Sequence, residues 1–220
     1  MDPEPARASG ENLIGRLAAR VTHDLNNAIA VLSGHLYLLR AAAEPPGEAV
    51  DAMEKATEQI GRLSRSLARL AAIGEGDSDA FDWNAVAREA AEDPLHSWGP
   101  VEVDLAPDLP PGRGRRADIR RALDCLLANA REASTAGAPI RIVTRPLLSG
   151  GTLLAVEDSG AGIPREISER VFTPFFSTRG ERGRGIGLTI VEAVAEAHGG
   201  DCGFEARQGG GTRFRMRIPG

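Results

Sequence analysis

Lysine is almost missing from this chain: it occurs once, at Lys55, and arginine carries nearly all the positive charge. A phosphate-binding loop ending in Gly-Lys-Ser/Thr is therefore excluded, and any phosphate site must be built without lysine. Cysteine is scarce too. Cys125 and Cys202 lie far apart with no metal-ligand spacing, which excludes a disulfide framework and fits a reducing, cytoplasmic setting. No apolar run approaches the ~18 residues of a membrane helix. The start, "MDPEPARASGEN", lacks the apolar core of a secretory leader. No membrane association is expected. The net charge is −5 and no basic stripe is interleaved with aromatics, so nucleic acid is not an expected partner. The basic cluster "GRGRRADIRR" (112–121) reads as a solvated helix start.

Periodicity is plentiful. Leu13, Leu17, Val21, Leu25, Ala28, Leu32, Leu36 and Leu39 recur at steps of three or four, which predicts one long amphipathic helix over about 10–43. "EPPG" (44–47) ends it, because proline cannot continue the ladder. Met53, Ala56, Ile60, Leu63, Leu67 and Leu70 then form a heptad seam on a second helix. Two such helices joined by a short turn make an antiparallel hairpin. A hairpin cannot bury both faces alone, so a homodimer closing a four-helix bundle is expected.

The expected division is a hairpin over 1–73, a linker "GEGDSDA" over 74–80 whose two glycines offer a hinge, and a mixed domain over 81–220. In the last part, helices are expected near 84–92, 115–134 and 186–198. Strands are expected near 100–105, 139–146, 151–157, 201–206 and 211–218. Residues 158–185 read as one long loop, rich in glycine, proline and arginine. The fold class is α+β: a helical hairpin followed by an α/β sandwich.

Three segments of the second part could carry chemistry. "VEDSGAGIP" (156–164) places Asp158 at a strand end, before Gly160 and Gly162. A carboxylate only accepts, so it suits an exocyclic amine; an ordinary strand-to-loop turn would read the same in isolation. "RGERGRGIGLTIVEAVAEAHGG" (179–200) sets Gly183, Gly185 and Gly187 before an apolar helix, with Arg179, Arg182 and Arg184 nearby. Free N–H groups and a positive helix end make an anion site. "DIRRALDCLLANAREA" (118–133) carries Asn129 among Leu123, Leu126, Leu127 and Ala130. Its amide oxygen could serve a hard cation such as Mg²⁺, or simply bond within the core.

A fourth segment, "VTHDLNNAIA" (21–30), gathers polar groups on the first helix. At ~100° per residue, His23 points away from the seam of Leu17, Val21 and Leu25, and Asn27 shares its face. A core histidine is thereby excluded, leaving a solvated one or a reaction centre. His35 is also helical, but no acidic residue follows it.

Taken in order, the segments 118–133, 156–164 and 172–188 resemble the Asn box, first glycine box, phenylalanine box ("FTPFFSTR") and second glycine box of the sensor histidine kinases. "HDLNN" resembles their histidine box and "GGGTRFRMRIP" their last strand, so the resemblance spans about 11–219. It implies a dimerisation and phosphotransfer hairpin followed by a Bergerat-type domain that binds ATP and Mg²⁺. Carried over, His23 is the phospho-acceptor, Asp24 its activating neighbour, and Asn27 the residue implicated in dephosphorylating the partner. Asn129 is the Mg²⁺ ligand and Asp158 the adenine acceptor. Gly160, Gly162, Arg179, Gly183, Gly185, Gly187, Leu188 and Thr212 complete the nucleotide site. The segment 172–184 would act as a lid. The implied activity is autophosphorylation of His23 and transfer to an aspartate of a response-regulator receiver domain, with a phospho-regulator phosphatase activity beside it. No sensor domain is visible in these residues, so the signal is expected either from a further part of a longer protein or from a separate sensor protein as partner. Cys125 departs from the pattern, since a second asparagine usually stands there and a thiol is a poor Mg²⁺ ligand. Two rivals follow: a histidine-phosphotransfer adaptor with impaired ATP turnover, and an ATPase clamp of the gyrase type, in which the hairpin would be superfluous.

Overall fold

A computed structural model describes residues 25–39, 47–74, 78–93, 99–178 and 185–220. The chain forms two compact units that divide between Ala72 and Ile73.

In the first unit, helix α1 covers 25–39 and α2 spans Gly47–Ala71. The three-four stripe turns inward: Ala28, Ala49 and Ala56 are buried, and Leu25, Leu32, Met53 and Ile60 are half-buried. Leu39 of α1 lines a groove with Val50, Met53 and Thr57 of α2, as an antiparallel hairpin requires. Burial is incomplete, with Leu36 44% and Leu67 37% exposed on the same stripes. Gly47, expected in the turn, instead opens α2. The helix expected over 10–24 and most of the turn lie outside the described residues.

The second unit is built on a five-stranded sheet in the spatial order β2 (Val101–Leu105), β4 (Ile140–Pro146), β5 (Thr152–Glu157), β7 (Thr212–Ile218) and β6 (Asp201–Ala206), with helices on one face. Helix α3 (Trp83–Glu92) begins at Asp82, whose carboxylate accepts the Asn84 N–H at 2.7 Å. Strand β2 pairs parallel with β4. A parallel pair needs a long crossover, which is supplied by α4 (Arg116–Ala133). The remaining pairs, with β5, β6 and β7, are antiparallel. Between β5 and β6 runs α5 (Gly187–Ala197).

Alternation along the strands sorts the two faces. Ile142, Val156 and Phe214 share one row toward the helices, where Leu123, Leu126, Ile190 and Val194 complete a fully buried core. The opposite face alternates arginine with carboxylate: Arg141–Glu102 at 2.9 Å, Arg145–Asp104 at 2.6 Å and Arg217–Asp201 at 2.9 Å. Hydrogen bonding from Arg145 holds the Asp104 carboxyl below its ordinary range. Such exposed pairs add little stability, but they keep a flat sheet face wet.

Two features depart from the expected elements. Strand β1 (Asp79–Phe81) pairs antiparallel with β3 (Gly112–Gly114), so a strand begins inside the stretch read as linker. Each is three residues long, too short to show a period. Within the long loop, Arg165–Arg170 forms a 3₁₀ helix. Among the described residues, no helix is long and apolar enough to cross a membrane.

Candidate functional site

Strand β5 is buried apart from half-buried Leu153 and ends by placing Asp158 at 1% exposure. A buried carboxylate needs hydrogen bonds, and Asp158 receives them on one oxygen. Its Oδ1 accepts the N–H of Gly160 at 2.8 Å and of Thr212 at 3.1 Å. Among the described residues, Oδ2 has no such donor. The outcome is a fixed carboxylate with one oxygen committed and one available to a donor outside the protein.

Gly160 follows from packing. A Cβ there would stand 2.5 Å from the Ala133 carbonyl oxygen, so only glycine lets this loop lie on the end of α4. One turn back along α4, on the same face, stands Asn129. A Cβ built on Gly187 would be 3.6 Å from Asn129 Oδ1 and 3.7 Å from Cys125 Cβ. The loop after β5 and the first turn of α5 therefore meet one face of α4, about one helical turn apart.

Helix α5 starts without a side-chain cap and without an acidic residue in its first turn. Among the described residues its first helical bond runs from the Ile190 N–H to the Ile186 carbonyl, which leaves the N–H groups of Gly187, Leu188 and Thr189 for other acceptors. The Thr189 hydroxyl is buried and donates to the Phe172 carbonyl at 3.4 Å, joining this turn to the phenylalanine segment. In that segment Phe175 has φ 59°, and its backbone lies against Gly185. Arg170 sits 4.5 Å over the Phe176 ring.

The structure thus brings together Asn129, Asp158, Gly160, Gly187, Leu188 and Thr212, with Gly162 in the loop after β5 and Gly185 just before α5. His23, Asp24, Arg179 and Gly183 lie outside the described residues. Asn27 is exposed on α1, in the other unit, and His35 is half-buried there.

Among the described residues, no group of three or more His, Cys, Asp or Glu side chains converges on a metal site. A single amide oxygen at Asn129 fits Mg²⁺ that brings its other ligands as phosphate oxygens and water. Sequence reading missed Thr189, Arg207, Glu157 and Gly211. The glycine run 209–211 before β7 was a readable signal. The contact of Arg207 with the Asp158 carbonyl joins residues 49 apart and left none.

Comparison with known proteins follows the same division. Residues 13–76 match the His Kinase A (phospho-acceptor) domain, and 114–220 match the family of histidine kinase-, DNA gyrase B-, and HSP90-like ATPases. The sensor protein FixL of Bradyrhizobium diazoefficiens is 28% identical over the whole of this chain, which covers 46% of FixL. This chain thus spans less than half the length of that curated relative. The Acinetobacter baumannii histidine kinase AdeS is 26% identical, with a TM-score of 0.59 over 90% of this chain and 97% of that one. Histidine kinase ThkA, solved in complex with the response regulator TrrA, shares the fold at 24% identity, with a TM-score of 0.63 over 94% of this chain and 62% of that one.

Proposed function

The chain belongs to the histidine kinases, whose phospho-acceptor and ATPase domains match its two parts, and from that premise we propose that it phosphorylates its own His23 from ATP and passes the phosphoryl group to an aspartate of a response-regulator receiver domain. The observation that carries this reading is Asp158, a buried carboxylate whose Oδ1 is filled by two backbone donors while Oδ2 is left for an adenine amine.

The first turn of α5 offers N–H groups to the phosphates, with arginine in the part lysine usually plays. Asn129 would hold Mg²⁺, which when bound neutralises charge on the phosphate oxygens. Phosphoryl transfer asks mainly for such positioning. Neutral His23 attacks the γ-phosphorus through one ring nitrogen: an N–P bond forms, the bridging P–O bond breaks, and ADP leaves with the electron pair. Asp24 takes or orients the proton on the other ring nitrogen. Transfer then exchanges the N–P bond for a P–O bond on the regulator's aspartate.

Leu36 and Leu67, exposed on stripes that are otherwise turned inward, suit a second copy of the hairpin, and a homodimer completes this reading. The opposite face of α1, where Asn27 is exposed, suits a docked regulator and a phosphatase activity toward it. The signal would reach this core in the cytoplasm, from a sensor segment of the same protein or from a separate sensor protein. Cys125 favours one rival, an adaptor that binds ATP but turns it over poorly.

Incubation with γ-labelled ATP tests the proposal. Acid-labile, base-stable label is expected on the wild type and on His35→Ala, and none on His23→Ala, with ATP binding intact in all three. Label lost with His35 would overturn the assignment, and ATP binding without label would favour the adaptor.

A further inference from the structure

We propose that Arg207 is a positioning residue for recognition of the nucleotide base, fixing the backbone of Asp158 from the opposite side of the sheet. The inference rests on the reading that Asp158 takes the adenine amine.

Arg207 sits where β6 turns into β7. Its N–H donates to the Gly211 carbonyl at 3.1 Å, and its carbonyl accepts the Gly210 N–H at 3.2 Å, which closes the hairpin. Its guanidinium makes two contacts. One nitrogen donates to the Asp158 carbonyl at 2.5 Å, and another lies 3.3 Å from Glu157 Oε2. By alternation, Glu157 points to the outer face while Asp158 points to the inner one.

Glu157 is no ordinary surface carboxylate. Its side chain is 5% exposed and is shared with Arg213, whose Nε donates to Oε1 at 2.7 Å, and with Arg141 at 4.0 Å. A carboxylate this buried needs its partners, and so it anchors the Arg207 guanidinium in place. The fork geometry matters: one planar group reaches a carboxylate and a carbonyl together, which a single ammonium cannot do as well.

The consequence falls on Asp158. Its N–H donates to the Thr212 carbonyl at 2.9 Å, its Oδ1 takes two donors, and its carbonyl takes Arg207. Oδ2 alone is left, and its direction is set by the other three. A binding group must be held to within about 0.5 Å to work well. Freeing the carbonyl lets the peptide after Asp158 rotate and swings Oδ2 away.

The test measures affinity for ATP and for inosine triphosphate, which carries an oxygen in place of the exocyclic amine. Calorimetry would compare wild type, Arg207→Met, Arg207→Lys, Arg213→Met and Asp158→Asn. Arg207→Met is expected to lose roughly tenfold in ATP affinity with little change for inosine triphosphate, so that the preference collapses. Arg213→Met also strips Glu157 of an arginine, but it does not reach the Asp158 carbonyl. It should melt at a lower temperature and keep the preference. Arg207→Lys should fall between, and it carries the test if the methionine variant does not fold. Arg207 variants that keep the wild-type preference, while Asp158→Asn loses it, would overturn the positioning role and leave the adenine assignment standing. Retention of the preference by Asp158→Asn as well would overturn both.

Discussion

Asp158 and Thr212 are bonded twice: the Asp158 N–H donates to the Thr212 carbonyl at 2.9 Å, and the Thr212 N–H donates to Asp158 Oδ1 at 3.1 Å. The second bond decides what a conservative substitution does. In Asp158→Asn, the amide oxygen must take the Oδ1 position to keep the donors of Thr212 and Gly160. The NH₂ group then stands where Oδ2 stood and meets the adenine amine donor to donor. Asp158→Asn should therefore fold normally and bind ATP roughly tenfold or more weakly, since a hydrogen bond to a charged group is worth about 1.5–3 kcal/mol. Calorimetry beside a thermal melt checks both halves. Undiminished binding would remove adenine from this loop.

Gly211 holds the same junction from the hairpin side. Its φ is +91°, and a Cβ there would stand 2.1 Å from the Asp158 carbonyl oxygen. Backbone strain and a clash with main chain act together, and neither can be relieved by a rotamer change. Gly211→Ala should cost on the order of 3 kcal/mol and weaken ATP binding, because the displaced carbonyl belongs to Asp158. Urea unfolding reads the first effect. A stability equal to wild type would mean that the hairpin yields without loss.

Cys125 lies one turn before Asn129 on the face of α4 that meets Gly187. An asparagine there would offer a second amide oxygen to a hard cation. Cys125→Asn is expected to lower the Mg²⁺ needed for half-maximal labelling by about threefold to tenfold. Against this runs the cost of placing an amide at a half-buried position, about 1 kcal/mol or more if it finds no partner. A lower melting temperature with no gain in labelling would assign the thiol to packing alone.

The parts legible in the sequence were those in which one residue's neighbours along the chain decide its environment. Heptad steps marked α2, an apolar run marked β5, and glycine after an aspartate marked the loop at Asp158. The illegible parts depend on distant pairs. Strands β1 and β3 pair where the Phe81 ring lies against Gly112, a position at which any side chain would collide with it. Nothing in "DAF" or "GRG" carries a period. Glu157 read as the polar end of an apolar strand, yet its environment is set by Arg207 and Arg213, some fifty residues later. The site followed the same division: its residue types could be picked out, but not which oxygen of Asp158 is committed.

Asn27 bears on the proposed phosphatase activity. It is exposed on α1, four residues beyond His23, on the face expected to receive a regulator. Its amide can orient a water toward an acyl phosphate, and being neutral it adds little to the attack of His23 on ATP. Asn27→Ala should leave autophosphorylation within about twofold of wild type, an effect below ~0.5 kcal/mol. It should slow hydrolysis of a phosphorylated regulator about tenfold or more, in the range of a lost positioning or general acid–base contribution. A residue that only solvates its helix would leave both rates unchanged. The measurement is the decay of purified phospho-regulator with ADP and Mg²⁺ present, for wild type and variant side by side. Equal decay would reject a phosphatase role for Asn27, and a matching loss of autophosphorylation would place it in the forward reaction instead.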